Sequence, residues 1–499
     1  MEISNQLIVV AECILFGFFS ILQCSFLNKN PSDHVGHLYL INETRKSGWK
    51  LPDRPSMILN KSTWGGYPLF THYIIGKFPE ESYKLISLTI KTTILLITSF
   101  LVVRYFSIEP QLVSYVFFLL LFSPYNFDVS NSANFGLSSR TIGQLLLILT
   151  ILSLSNYSTL EQGIDNRYIF LSIILCLAVI GFNVFATQAL LIFSFASIFF
   201  GNILPSIVLV SSIIIFALIF GRYGRRYIFS TVKYWHYYRI KFAEVSILKD
   251  YPSFWLTPFR ELSKLLSNKD WKNIFNLIYK NSLLNALFLN PVFWVGLYFI
   301  YESNNHSSIY FQFIIAMLIA FFITSFRQAR FWGEPNRYLE IATPILIILT
   351  IDDLIQLDFF FTPYLIILLI MHLIVSKFLS DRLINNSDSL DKFSQCIELT
   401  VKAPVLASNN NHSLKHFLPN GWQYVTIWNI EEGISNIEST EAFSPFPFIN
   451  FGAFLKIIDD YKPNVLIIDQ RKDTITNEIS NRGFVEVMSA DNYLLFIKN

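Results

Sequence analysis

Asp33, His34 and His37 lie together in NPSDHVGHLY, residues 30–39, directly after the first apolar run of the chain. A carboxylate in that place has two uses. It can cap the helix that HVGHLYLINETRKSGW suggests, with Pro31, Ser32 and Asp33 supplying N-cap chemistry. At the watery mouth of a helix bundle it can also take a proton from an acceptor hydroxyl or amine. His34 and His37 could ligate a metal, or only pack and hydrogen-bond. No third ligand with suitable spacing stands near them.

Four further stretches carry chemistry. RQARFWGEPNRYLEIATP, residues 327–344, gathers Glu334, Arg337 and Glu340 around Pro335 at a span entrance. Ionised groups there are costly to bury without a partner or ligand, and Arg337 with Glu340 has the i,i+3 spacing of an ion pair. WGGYPLFTHYIIGKFPEE, residues 64–81, brings Tyr67 and His72 to a helix entry broken by Gly65, Gly66 and Pro68. In SPYNFDVSNSANFGLSSRTIGQ, residues 123–144, Arg140 begins a span. An arginine there can hold a lipid phosphate bidentately or simply extend its guanidinium to the interface. Residues 221–280 hold twelve Lys/Arg, Arg225 and Arg226 among them, against four Asp/Glu, interleaved with Tyr and Trp. That is the composition of helices lying on anionic headgroups, able also to gather anionic lipid-linked substrates. The aromatics fit a membrane interface, so nucleic acid is not an expected partner.

The elements that must position these groups are apolar helices. The chain has 499 residues, 53% hydrophobic, with 49 Phe and a mean hydropathy of +0.44. Only 15% are charged, against about 25% in a soluble domain. The class is a polytopic α-helical membrane protein. Apolar runs recur near 5–27, 85–103, 111–124, 141–155, 168–185, 187–200, 203–220, 283–301, 309–326, 338–351 and 359–376, which predicts about eleven spans. The first run lacks a basic n-region and a cleavage site, so it is expected to be retained. Cys13, Cys24, Cys176 and Cys396 show no paired spacing and suggest neither disulfides nor a metal knuckle.

After about residue 377 the chain turns polar, with β-like runs in WQYVTIWNI, NVLIIDQ and YLLFIKN. The expected domains are therefore a membrane part over 1–376 and a small soluble α/β domain over 377–499. The membrane part contains a first loop at 28–84 and the basic loop at 221–282. No Gly-rich phosphate loop follows NVLIIDQ, so nucleotide binding is not expected. Alternating spans put the long loops and the C-terminal domain on one face, with short turns on the other. The Lys/Arg balance taken alone weakly favours the rich face being cytoplasmic.

The order of DHVGHLY, YPLFTHY, SSRTIG and GEPNRYLEIATP resembles the GT-C superfamily of polytopic glycosyltransferases over about three-quarters of the chain. The resemblance implies a polyprenyl-phosphate or diphosphate sugar donor and work on the extracytoplasmic face of the inner membrane. The N-terminus is then cytoplasmic, and the C-terminal domain extracytoplasmic. It matches the family's first-loop carboxylate to Asp33, and its phosphate-binding basic residues to Arg337, then Arg140, then Arg225 and Arg226. His34, His37, Tyr67, His72, Glu334 and Glu340 are the remaining candidates for contact with substrate or acceptor.

Many relatives carry two acids in the first loop, whereas here His34 follows Asp33. The expected transfer is therefore metal-independent, with no cofactor, although His34 and His37 keep a divalent metal open. No WWD-type motif suggests a sequon-reading enzyme. The implied partners are a polyprenyl-linked sugar donor, membrane lipids, and a glycan, lipid or protein acceptor. The competing reading is a transporter, flippase or polymerase of envelope polysaccharide, against which stand the few ionisable residues in mid-span.

Overall fold

The structure, a computed structural model, describes residues 70–79, 140–159, 166–237, 257–302, 308–326, 332–356, 388–420, 422–425, 448–471 and 476–498. It also describes single positions within 37–48, 82–86 and 363–370, and at 119 and 329. Asp33, His34, Tyr67 and the expected first span lie outside the described residues. So do the runs near 85–103, 111–124 and 359–376 apart from single positions.

The helices run in chain order α1 (Phe70–Ile75), α2 (Arg140–Thr159), α3 (Asn166–Phe182), α4 (Val184–Phe199), α5 (Leu204–Ile219), α6 (Gly221–Tyr237), α7 (Thr257–Ser267), α8 (Trp271–Lys280), α9 (Ser282–Leu289), α10 (Pro291–Glu302), α11 (Ile309–Ser325), α12 (Asn336–Gln356), α13 (Asp388–Thr400), α14 (Phe451–Tyr461) and α15 (Thr476–Ser480). Five strands follow α13: β1 (Val405–Ser408), β2 (Gln423–Tyr424), β3 (Val465–Asp469), β4 (Phe484–Ala490) and β5 (Tyr493–Lys498). The described residues form two compact units. One lies within Glu80–Gly224 and Tyr251–Leu379, the other within Lys29–Pro79, Arg225–Asp250 and Ser380–Asn499.

The first unit is helical. Its outward faces are strongly apolar: Phe170, Phe195, Phe199, Ile203, Ile207 and Leu218 are each more than half exposed. Apolar side chains exposed in such number suit lipid better than water. Inside, small hydroxyls tie helices together. Ser172 Oγ donates to Ser153 Oγ at 2.9 Å, joining α3 to α2. Ser206 Oγ donates to Ser194 O at 2.7 Å, and Ser212 Oγ to Ile173 O at 3.2 Å. Such bonds suit a medium that offers polar groups no other partner. Gly296 permits the closest approach, since a Cβ there would sit 2.2 Å from Leu346 Cδ2, between α10 and α12.

The expected runs at 141–155, 168–185, 187–200, 203–220, 309–326 and 338–351 correspond to α2, α3, α4, α5, α11 and α12. The run at 283–301 is not one rod. It is α9 and α10, bent by 78° at the buried Asn290, whose Nδ2 donates to Thr343 Oγ1 at 2.8 Å. By length and composition this bent pair could cross a membrane; no single described helix is long and apolar enough. For α4 and α5 the reason is length: they have 16 residues each, about 24 Å at the helical rise, against a hydrocarbon core of about 30 Å. The boundary between α3 and α4 falls at Asn183, which caps α4 by accepting from Ala186 N, a few residues before the expected break at 186–187. The basic loop is helical through α6, α7 and α8. Leu262 of α7, Ile274 of α8 and Leu284 of α9 bury a small common core.

The second unit carries a mixed sheet in the order β2-β1-β3-β5-β4. β1 runs parallel to both β2 and β3, while β5 is antiparallel to β3 and β4. NVLIIDQ and NYLLFIKN are the neighbouring strands β3 and β5, as their apolar runs predict. Both faces of β3 are covered, and its side chains alternate. Val465 and Ile467 pack with Phe393 and Ile397 of α13; Leu466 and Ile468 pack with Phe454 and Ile458 of α14. A strand buried on both faces has to be apolar throughout.

Candidate functional site

In the first unit, three helix starts meet. Gly143, one turn into α2, lies so close to Asn183, the cap of α4, that a Cβ on it would approach Asn183 Cβ to 2.4 Å. Gln144 Nε2 donates to Glu340 O at 3.2 Å, joining α2 to the first turn of α12. Phe185, in the first turn of α4, faces Tyr338 with centroids 4.9 Å apart and lies under the Arg337 guanidinium at 5.6 Å. Arg140 stands one turn before Gln144 on α2, and Arg337 one turn before Glu340 on α12. Two guanidiniums thus occupy the N-terminal turns of α2 and α12. Free backbone N–H groups and the helix dipole favour an anion at such ends.

The loop entering α12 is shaped for this arrangement. Gly333 has φ +118°, which side-chain-bearing residues rarely adopt, and a Cβ there would meet Phe185 Cε2 at 2.9 Å. The buried Tyr338 hydroxyl donates to Trp332 O and pins the loop across its base. Glu334 is thereby brought to Arg337: Oε2 accepts from Nε at 3.0 Å and lies 2.9 Å from Nη2. Glu334, three residues before Arg337, is thus a carboxylate that meets it from the side opposite to Glu340 in the chain. The turn at Pro335 folds Glu334 back onto the helix start, and Glu340 contributes its backbone carbonyl to Gln144.

In the second unit, His37 Nδ1 and His72 Nε2 are 2.8 Å apart, with the rings stacked at 5.0 Å and 27°. His72 is buried and His37 half-buried. Arg45 ties the same two segments again, donating from Nε to Gly76 O at 2.8 Å and from Nη2 to Phe78 O at 2.6 Å. Among the described residues no group of three or more His, Cys, Asp or Glu could hold a metal ion. Arg225 is exposed and Arg226 half-buried on α6.

Sequence reasoning missed a charged cluster at the carboxyl ends of β1 and β3. The Asp469 side chain is fully buried. Its Oδ1 accepts from Arg471 Nε at 2.9 Å and its Oδ2 from Asn410 Nδ2 at 2.7 Å. Asn409 bonds both backbone groups of Asp469. Arg471, held in its charged form chiefly by the hydrogen bond to Asp469, also donates to the Tyr493 hydroxyl at 3.0 Å. Burial raises the Tyr493 phenol above its ordinary value. Asp and Arg two residues apart on a strand end would normally face solvent, so no periodicity marks them.

The helical bundle with its small mixed sheet has the fold of the GT-C class, which the sequence resembles. Among solved structures, the chain is similar to ArnT from Cupriavidus metallidurans bound to undecaprenyl phosphate. The TM-score is 0.53 at 10% identity, and the match covers 97% of each chain. No family model matches the chain, and no curated protein matches it in sequence.

Proposed function

We propose that the protein is a membrane glycosyltransferase that moves a sugar from a polyprenyl-phosphate or diphosphate donor to an extracytoplasmic acceptor, with inversion at the anomeric carbon. The observation that carries this reading is the fold, shared across 97% of both chains with a protein bound to undecaprenyl phosphate. Lipid-facing apolar helices and two arginines at helix starts support it.

In this reading Arg337, with Arg140 at the start of α2, holds the donor phosphate and stabilises the charge that grows on it as the sugar leaves. Glu334 keeps the guanidinium aimed until the anion arrives. Asp33 takes the proton of the acceptor nucleophile, which attacks the anomeric carbon from the side opposite the phosphate. The pair electrons leave with the phosphate, and no metal is required by these steps. Arg225 and Arg226 on α6 serve as an outer basic surface for anionic lipid. The N-terminus is cytoplasmic and the transfer extracytoplasmic.

The test is product stereochemistry with a defined donor. A polyprenyl-phosphate sugar of known anomeric configuration is offered to purified protein in lipid, and the new linkage is assigned by NMR. Inversion is expected; retention overturns direct attack assisted by Asp33.

A further inference from the structure

We propose that Gln144 is a positioning residue for the donor site: its amide bonds a carbonyl that Pro344 has deprived of its helical partner, and so fixes the start of α2, with Arg140, against the start of α12, with Arg337. The effect on donor binding rests on the glycosyltransferase reading above; the tie itself does not.

In an α-helix each carbonyl accepts from the N–H four residues further on. The residue four after Glu340 is Pro344, which lies inside α12, and proline has no N–H to give. Glu340 O therefore loses its helical donor. The turn around it is shielded from solvent: Tyr338, Leu339, Ala342 and Thr343 are all buried. A carbonyl left bare in such a place carries the cost of its lost hydration. Gln144 Nε2 supplies a bond at 3.2 Å, from a helix 196 positions away in the chain.

Helix geometry carries this bond to the two arginines. Arg140 stands four residues before Gln144, and Arg337 three before Glu340. Residues at these spacings share a helix face. Two further contacts complete a triangle of helices. Gly143 of α2 lies against Asn183 at the cap of α4, where a Cβ would come within 2.4 Å of Asn183 Cβ. Phe185 of α4 packs on Tyr338 of α12, with centroids 4.9 Å apart. Close packing sets how near two helices come. A hydrogen bond is directional, so it also sets how they are turned and how far one has slid along the other. Without the Gln144 amide, α2 still rests on Asn183 but can turn about that contact. The loss is one of orientation more than of fold.

The test uses the full chain in lipid nanodiscs, with undecaprenyl phosphate as the probe and Tm as the second readout. Gln144→Leu removes the donor and keeps most of the side chain's bulk. It should weaken binding of undecaprenyl phosphate about five- to tenfold, the size of one net hydrogen bond. Pro344→Ala returns an N–H to Glu340 O. It should raise Tm more in the Gln144→Leu background than in the wild type, because the carbonyl is bare only in the former. Equal gains in the two backgrounds mean that the tie is absent and overturn the proposal. The double variant should keep the low affinity, since its carbonyl is satisfied while α2 is still untied. Restored affinity would mean that Gln144 only satisfies the carbonyl, and overturns the positioning role; so does wild-type affinity in Gln144→Leu. Pro344→Ala alone should bind as the wild type does, because a carbonyl oxygen can accept from both the new N–H and Gln144. A loss there as large as in Gln144→Leu assigns the effect to the proline bend and overturns the amide's role. A wild type that does not bind undecaprenyl phosphate overturns the donor reading and the positioning role with it, while the melting curves still decide the tie.

Discussion

Replacing Arg337 by Gln separates a binding role from a structural one, because the structure assigns the two very different sizes. The Arg337 and Glu334 side chains are 20% and 35% exposed. A partly exposed ion pair of this kind contributes about 0–1 kcal/mol. The contact with the Phe185 ring at 5.6 Å adds about 0.5–1 kcal/mol. These two contacts together should cost the fold about 0.5–2 kcal/mol, a shift of only a few degrees in Tm. A charge-assisted hydrogen bond to phosphate contributes about 1.5–3 kcal/mol. At about 1.4 kcal/mol per factor of ten, Arg337→Gln should weaken donor binding by about 10–100-fold. The assay is titration of the purified protein with undecaprenyl phosphate, beside its melting curve. Glu334→Gln is the companion variant. It removes the carboxylate that competes with the anion, so it should bind undecaprenyl phosphate as tightly as the wild type or several-fold tighter. Unchanged binding in Arg337→Gln refutes the phosphate role. Weakened binding with a collapsed Tm would mean that the residue only holds the loop.

Gly333→Ala should act on the same site without removing a charge: its Cβ must displace Phe185, so donor affinity falls while membrane insertion and sheet folding are retained, as read by the same titration and by circular dichroism. Gly296→Val should destabilise the first unit by about 1–3 kcal/mol through overpacking against Leu346, measured as a lower Tm. Arg471→Leu strips the guanidinium from the buried Asp469 and should cost about 1–3 kcal/mol, reduced from a full buried-pair loss because Arg471 is half exposed; Asp469→Asn/Arg471→Leu together should recover part of it. Arg482 holds the exposed Asp459 carboxyl below its ordinary value through a hydrogen bond. The contribution of that pair is therefore present above Asp459's unfolded value and disappears as pH falls through the lowered folded one. Wild type and Arg482→Gln should differ in Tm at neutral pH and converge at strongly acid pH.

Much of the fold was legible because its signals are local. Six apolar runs became single helices, since a stretch that must avoid water announces itself residue by residue. β3 and β5 were legible for the same reason, being buried strands. The break at Asn290 has a local cause in Pro291, which disfavours a helical Asn290, but the bond that Asn290 makes to Thr343, 53 residues away, left no sign in the sequence. The site was legible in residue type and less so in pairing. Arg337 stood out as a cation at a span mouth, but its partner depends on the backward turn at Gly333 and Pro335. His37 and His72 each stood out, yet nothing in their spacing says that they touch. Phe185 looked like one more apolar residue in a run; its place under Arg337 comes from helix packing. The Asp469 cluster left no trace, because Asn409, Asn410 and Arg471 look like ordinary loop residues until two parallel strands bring them together.

The central claim is glycosyl transfer from a polyprenyl-phosphate sugar. The most direct measurement is incorporation of radiolabelled sugar from a panel of such donors into acceptor in membranes containing the protein, beside membranes containing Asp33→Asn. The account predicts donor-dependent incorporation by the wild type, reduced by a factor of about 10²–10⁴ when the base is lost. Equal incorporation by both would remove Asp33 from the chemistry. Incorporation that does not depend on any polyprenyl-phosphate sugar, or on the protein, would contradict the account itself.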